Sequence, residues 1–268
     1  MDILQAIFLG ILEGFAEFLP ISSTGHLIVA SELVGYRDTA KIFTVVIQMG
    51  AIAAVLWFYR NDLSHKVKGL LRGDKQIRRF WTAWVIATIP AALAGLLLHD
   101  AVSIYAISLT VAIALIVGGI IIWLIETYHK TAKSTSLEPA FEKMTLKQSV
   151  QIGMYQALAL VPGVSRSGAT IMGGLLSGLD RVTAAAFSFY LSIPILLLAG
   201  SYQLVQGHDN LGTVEGGAAA LIAGTIAAFF TALLVIRWLM RYIYKHDFKL
   251  FAYYRIVLGI IIIIVLAV

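Results

Sequence analysis

Glu13 and Glu17 stand four residues apart in an otherwise apolar stretch of a 268-residue chain. On a helix that spacing puts both carboxylates on one face. Each charge held at membrane depth costs roughly 2.5–3.5 kcal/mol or more, so such acids are by default functional. Two adjacent carboxylates need a cation, a shared proton or a water-filled cavity. They suit a hard divalent ion, Mg²⁺ or Ca²⁺, completed by phosphate oxygens. A few residues on, Ser22, Ser23, Thr24 and Gly25 follow Pro20 and precede His26. Hydroxyls at a helix start cap it, and the same N-terminus points backbone donors and a positive dipole end at an anion such as phosphate. His26 is three residues from Ser23, close enough to act as its base or to protonate a leaving group. Arg166 lies between Ser165 and Ser167 at a second break, ahead of Gly168 and Thr170. Its planar fork matches phosphate oxygens, and an internal ion pair with Glu13 or Glu17 is the alternative use of its charge. Gln48 and Gln156 add neutral polar groups for the same cavity. Acids, hydroxyls, an imidazole, a guanidinium and two helix starts make an inventory for phosphate chemistry. No P-loop, HExxH or GxSxG motif is present.

Hydrophobic residues make up 59% of the chain and charged residues 13%, against about 25% charged in soluble domains. The mean hydropathy of +0.87 agrees. These figures describe an integral membrane protein. The absence of cysteine excludes disulfides, thiolate metal sites and a cysteine nucleophile. A net charge of +5 is read as cytoplasmic loop charge rather than as a nucleic-acid surface. Met1-Asp2-Ile3 offers no positive region ahead of an apolar one, so no cleaved signal peptide is expected.

Six apolar stretches, near 42–59, 81–98, 101–125, 182–205, 216–236 and 250–268, are long enough to span a bilayer, which takes about 20 helical residues. Lys and Arg collect at 60–80, at Lys130, Lys133, Lys143 and Lys147, and at Arg237, Arg241, Lys245, Lys249 and Arg255. The links at 99–100 and 206–215 carry none. Alternating sides therefore puts 60–80, 126–148 and 240–249 in the cytoplasm and both termini outside. Only Arg37 and Lys41 stand against the rule.

Two further apolar stretches, 3–34 and 149–178, are each interrupted, at Pro20 and at Pro162-Gly163. Proline removes a backbone donor and the serines that follow start a new helix. Thr145 with Gln148 makes a capping box ahead of the second stretch. Both read as re-entrant helical hairpins. At an offset of 143 residues, Gly10 meets Gly153, Glu13 meets Gln156, Ser22 meets Ser165, Thr24 meets Ser167, Gly25 meets Gly168 and Gly35 meets Gly178. After a one-residue slip, Thr39-Ala40 meets Thr183-Ala184. The expected fold is therefore all-α, one membrane domain over 1–268. It is an inverted repeat of 1–125 and 145–268, each half a re-entrant hairpin plus three spans, joined by a cytoplasmic linker at 126–144. Such repeats place their binding site at the interface between halves.

The runs Glu13-Gly14-Phe15-Ala16-Glu17-Phe18-Leu19-Pro20-Ile21-Ser22-Ser23-Thr24-Gly25-His26 and Pro162-Gly163-Val164-Ser165-Arg166-Ser167-Gly168-Ala169-Thr170 resemble the two signatures of the bacterial undecaprenyl-diphosphate phosphatase family, also called bacitracin-resistance proteins. The resemblance covers the whole chain. It implies a multi-pass enzyme of the bacterial cytoplasmic membrane that removes the terminal phosphate of a C55 polyprenyl diphosphate and so recycles the lipid carrier of peptidoglycan synthesis. It further implies a site open to the periplasm and stimulation by a divalent cation, with bacitracin only a competitor for the lipid. A homodimer is left open. On this reading Ser23, His26, Arg166 and Glu17 are catalytic. Ser22, Thr24, Gly25, Ser165, Ser167, Gly168, Thr170 and Gln48 bind phosphate, and Glu13 with Glu17 holds the metal. A polyprenyl-phosphate flippase is the alternative function, because inverted repeats with broken helices are also transporter architecture.

Overall fold

The computed structural model describes residues 1–36, 38, 42–103, 107–132, 134–207 and 214–267, with only the backbone described over 99–103. Arg37, Thr39, Ala40, Lys41, Lys133 and much of the link at 206–215 lie outside the described residues. Within them the chain is all helical: α1 (Ile3–Ala16), α2 (Ser23–Leu33), α3 (Ile42–Phe58), α4 (Arg60–Leu71), α5 (Lys75–Ser103), α6 (Ser108–Tyr128), α7 (Leu146–Ala157), α8 (Arg166–Leu176), α9 (Arg181–Gln206), α10 (Gly217–Lys245) and α11 (Lys249–Ala267).

Five of these, α5, α6, α9, α10 and α11, are long and apolar enough to cross a membrane. The remaining expected span, 42–59, coincides with α3, which is long and apolar enough to cross only when taken together with α4, and the two are bent by 70° at their junction. The segment 60–80 is thus not a loop: α4 and the start of α5 occupy it. Lys66, read from sequence as a cytoplasmic loop charge, is buried. Its ammonium sits 4.9 Å from the Phe80 ring centre and 5.2 Å from that of Phe141, and pairs with Asp62 at 2.5 Å. The aromatic faces supply cation–π attraction where water is lost.

The two interrupted stretches fold as expected from their punctuation. Asp2 caps α1 and Thr145 caps α7, both through a capping box with the glutamine three residues on. The α1 helix ends at Ala16, short of Pro20, and α2 starts after Ser22, whose Oγ accepts from the Gly25 amide. In the second stretch a 3₁₀ turn at Leu158–Leu160 precedes Pro162-Gly163, and Ser165 caps α8 by accepting from the Gly168 amide.

Packing brings the broken hairpins against long helices. The α1 helix lies along α10 so closely that a Cβ on Gly10 would sit 2.2 Å from the Gly224 carbonyl oxygen. A side chain at either place would push the helices apart. The α9 helix is the most enclosed span, with Phe187, Phe189, Tyr190 and Leu191 fully buried. By contrast α11 turns Tyr253, Val257, Ile260, Ile261, Ile264 and Val265 outward, the apolar exterior that a hydrocarbon solvent requires. At the linker end, Glu126 of α6, itself buried, forms an ion pair with the partly exposed Arg181 and also accepts from the Phe248 amide. One carboxylate therefore ties together the ends of α6, α9 and α11.

Candidate active site

The two breaks meet. Ser167 donates from Oγ to the Leu19 carbonyl at 2.7 Å, and Arg166 donates from Nη2 to Glu17 Oε1 at 2.8 Å. Both N-termini, of α2 and of α8, therefore border one cavity of about 270 Å³. Ligand cavities run to roughly 300–1,000 Å³, so this one suits a headgroup rather than a whole lipid. Glu17, Ser22, Ser23, Thr24, Gln48, Gln156, Ser165 and Arg166 line it, with Ala91, Leu160, Val164, Ile195 and Leu196 forming its apolar side.

Within the cavity the polar groups form a chain. Ser23 donates from Oγ to Glu17 Oε2 at 2.5 Å, and the other oxygen of that carboxylate is held by Arg166. The guanidinium is steadied by a 3.0 Å bond from Nη1 to the Ser188 carbonyl. It also lies against the Phe18 ring, 5.9 Å from its centre. Its Nε is buried with no partner among the described residues, as is Oε1 of Gln156. A buried donor left unpaired costs about 1–3 kcal/mol, more when charged, so this nitrogen is held at a cost that the Glu17 and Ser188 bonds of the same guanidinium offset. The expected internal ion pair of Arg166 is thus present, and with Glu17.

Several expected roles are redistributed. His26 does not face Ser23. Its Nδ1 meets the Ser22 carbonyl at 2.7 Å and its Nε2 meets the Tyr254 hydroxyl at 2.6 Å. The hydroxyl of Ser23 turns back over the end of α1 to Glu17, while the imidazole points to α11. Ser22 has φ 73° and ψ 97°, a conformation costing of order 1–3 kcal/mol for a non-glycine residue. The His26 bond to its carbonyl helps hold it there. Ser167, Gly168, Thr170 and Gly25 stand behind the cavity wall instead of lining it. Ser167 is spent on Leu19 and Ser165, and Thr170 on the Arg166 carbonyl and the Ser188 hydroxyl. Glu13 also stands outside the lining, fully buried beside Glu17, with Oε1 unpartnered.

Two residues of α11 were not foreseen. Tyr254 holds His26, and Arg255, counted from sequence among the cytoplasmic charges, is 2% exposed and bonded to carbonyls at both breaks. The signal was available: a lone arginine inside an apolar run is the anomaly that singled out Glu13.

The family model described as bacitracin resistance protein BacA matches residues 6–261. Undecaprenyl-diphosphatase 3 of Acinetobacter baylyi is 44% identical over 268 residues, covering 99% of this chain and 98% of that protein. The undecaprenyl-diphosphatase of Nitrosomonas europaea is 47% identical over 265 residues, covering 98% and 94%. That of Methylobacillus flagellatus is 46% identical over 268 residues, covering 98% of each.

Proposed function

The chain belongs to the bacitracin resistance protein BacA family, and on that premise we propose that it is an undecaprenyl-diphosphatase, hydrolysing the terminal phosphate of a polyprenyl diphosphate. The observation that carries this reading is the Ser23–Glu17–Arg166 chain in a cavity bordered by two helix N-termini. A carrier needs anion ligands but has no use for a hydroxyl already donating to a buried carboxylate.

The diphosphate binds with its terminal phosphate between the starts of α2 and α8, where backbone donors and the Arg166 guanidinium meet it. Glu17 takes the hydroxyl proton as Ser23 Oγ bonds the terminal phosphorus. The bond from that phosphorus to the bridging oxygen breaks, and the polyprenyl monophosphate leaves with the electron pair. Water then bonds the phosphorus of the phosphoserine, the bond from phosphorus to Oγ breaks, Ser23 Oγ takes back the proton held by Glu17, and inorganic phosphate leaves with the water's oxygen. Arg166 does two things: it keeps one Glu17 oxygen occupied so that the other faces Ser23, and it stabilises charge on the phosphoryl oxygens in transfer. His26 acts through Ser22, as a positioning residue that holds the first break open.

A divalent cation of the Mg²⁺ or Ca²⁺ kind would be held between Glu13, whose Oε1 is buried with no partner among the described residues, and Glu17, which borders the cavity and would share its oxygens with Ser23 and Arg166. No cluster of three or more His, Cys, Asp or Glu side chains occurs among the described residues. Substrate oxygens would therefore complete the shell, and the ion would screen diphosphate charge.

The halves are related as an inverted repeat. In support, α1 lies along α10 and α7 along α5, so each hairpin leans on the penultimate helix of the other half. Gly10 and its repeat mate Gly153 both make the close approach, to Gly224 and to Ala87. With the basic links inside, the cavity opens to the periplasmic side of a bacterial cytoplasmic membrane. Phosphate release from undecaprenyl diphosphate by the purified protein in detergent tests the activity directly.

A further inference from the structure

Among the described residues Arg255 donates only to main-chain carbonyls: from Nη1 to Pro20 at 3.1 Å, from Nη2 to Gly163 at 3.3 Å and Ala114 at 3.0 Å, and from Nε to Leu115 at 3.3 Å. No ion pair to it occurs among the described residues. Pro20 and Gly163 are repeat mates at the 143-residue offset, and each lies three residues ahead of a working side chain, Ser23 and Arg166. Both carbonyls belong to unwound backbone, where a buried acceptor has no helical donor to satisfy it. A planar fork with several fixed donors can serve both at once; an ammonium cannot hold the same two in one geometry. The slot is built for this group. A Cβ on Gly118 of α6 would come within 2.2 Å of Arg255 Nη2.

We infer that Arg255 is a positioning residue that clamps the two breaks together through equivalent carbonyls and thereby sets the spacing between Ser23, Glu17 and Arg166. This deepens the phosphatase reading and rests on it. Its charge is not the point: a residue supplying only positive potential would be replaced by lysine without loss. A misplacement of about 1 Å in a reacting group can cost on the order of 100-fold in rate.

The test uses the full chain in detergent with two variants, Arg255→Lys, which keeps the charge, and Gly118→Ala, which crowds the guanidinium and leaves Arg255 in place. In a parallel set, spin labels go on cysteines introduced at Phe15 and Leu158, both exposed and each beside one break. The clamp predicts that kcat falls about 10- to 100-fold in both variants, with KM within about twofold, and that the distribution of label distances broadens. Three results would overturn it: kcat of Arg255→Lys within about twofold of the parent, a loss confined to KM, or an unchanged distance distribution. If Arg255→Lys is not recovered folded, Gly118→Ala decides by the same criteria. If the unmodified chain releases no phosphate from the lipid, the phosphatase reading fails, while the distance distributions still decide the clamp.

Discussion

Ser23 Oγ lies 2.5 Å from Glu17 Oε2, across the gap between the end of one helix and the start of the next. A serine hydroxyl is a weak nucleophile until a base accepts its proton. Here the base is a carboxylate whose other oxygen is tied to Arg166. The arrangement follows from Pro20, which stops α1 and lets the chain turn back, so that residues six apart in sequence meet.

Glu17→Gln removes the proton acceptor and leaves Arg166 without its ion-pair partner. Turnover should fall by at least about 100-fold. Because a buried pair broken from one side costs about 3–5 kcal/mol, the melting temperature should fall as well. Both quantities are measured on the same preparation. Turnover within a few-fold of the parent would assign the proton to another group.

His26 distinguishes positioning from base catalysis. If it works through its Nδ1 bond to the Ser22 carbonyl, His26→Asn, which retains a short amide donor, should keep more kcat than His26→Ala. A base acting on Ser23 makes the two variants equally inactive. Steady-state kinetics on both variants separates the cases.

The helices and their interruptions were legible in the sequence because they are written in strong local signals. The capping box at Thr145, serine caps at Ser22 and Ser165, and the prolines ahead of those serines specify starts and stops. The residues that converge were legible too, since charges and hydroxyls in apolar runs have few other reasons to be there. Side-chain direction was not legible. Spacing put Ser23 and His26 within reach of each other, but tertiary partners on α1 and α11 turned them apart. The same holds for Ser167 and Thr170, whose hydroxyls satisfy backbone carbonyls of the breaks themselves. Counting positive charges also gave no sign that Lys66 and Arg255 are buried, because it addresses sidedness and not burial.

Arg166→Lys keeps the charge but loses the fork, so it cannot hold Glu17 and a phosphate together. The rate should fall by the roughly 2.7–4 kcal/mol associated with one preorganised transition-state donor, about 100- to 1,000-fold, with a much smaller change in KM. Kinetics alongside thermal melting checks this. Lost stability with intact turnover per folded molecule would make the arginine purely structural.

Glu13 should matter through a cation. Titration calorimetry with Mg²⁺ or Ca²⁺ and a non-hydrolysable diphosphate lipid analogue should show metal-dependent binding that Glu13→Gln weakens by about tenfold or more. Equal metal dependence in the variant would leave the unpartnered carboxyl oxygen to a proton shared with Glu17.

The central claim is that this cavity cleaves a phosphoanhydride with Ser23. The direct measurement is inorganic phosphate released from undecaprenyl diphosphate by the purified chain in detergent, compared with Ser23→Ala at equal folded concentration. One phosphate per lipid is expected, with undecaprenyl monophosphate as the other product, and at least about a 100-fold slower release in the variant. No release by the parent chain, or equal release by Ser23→Ala, would contradict it.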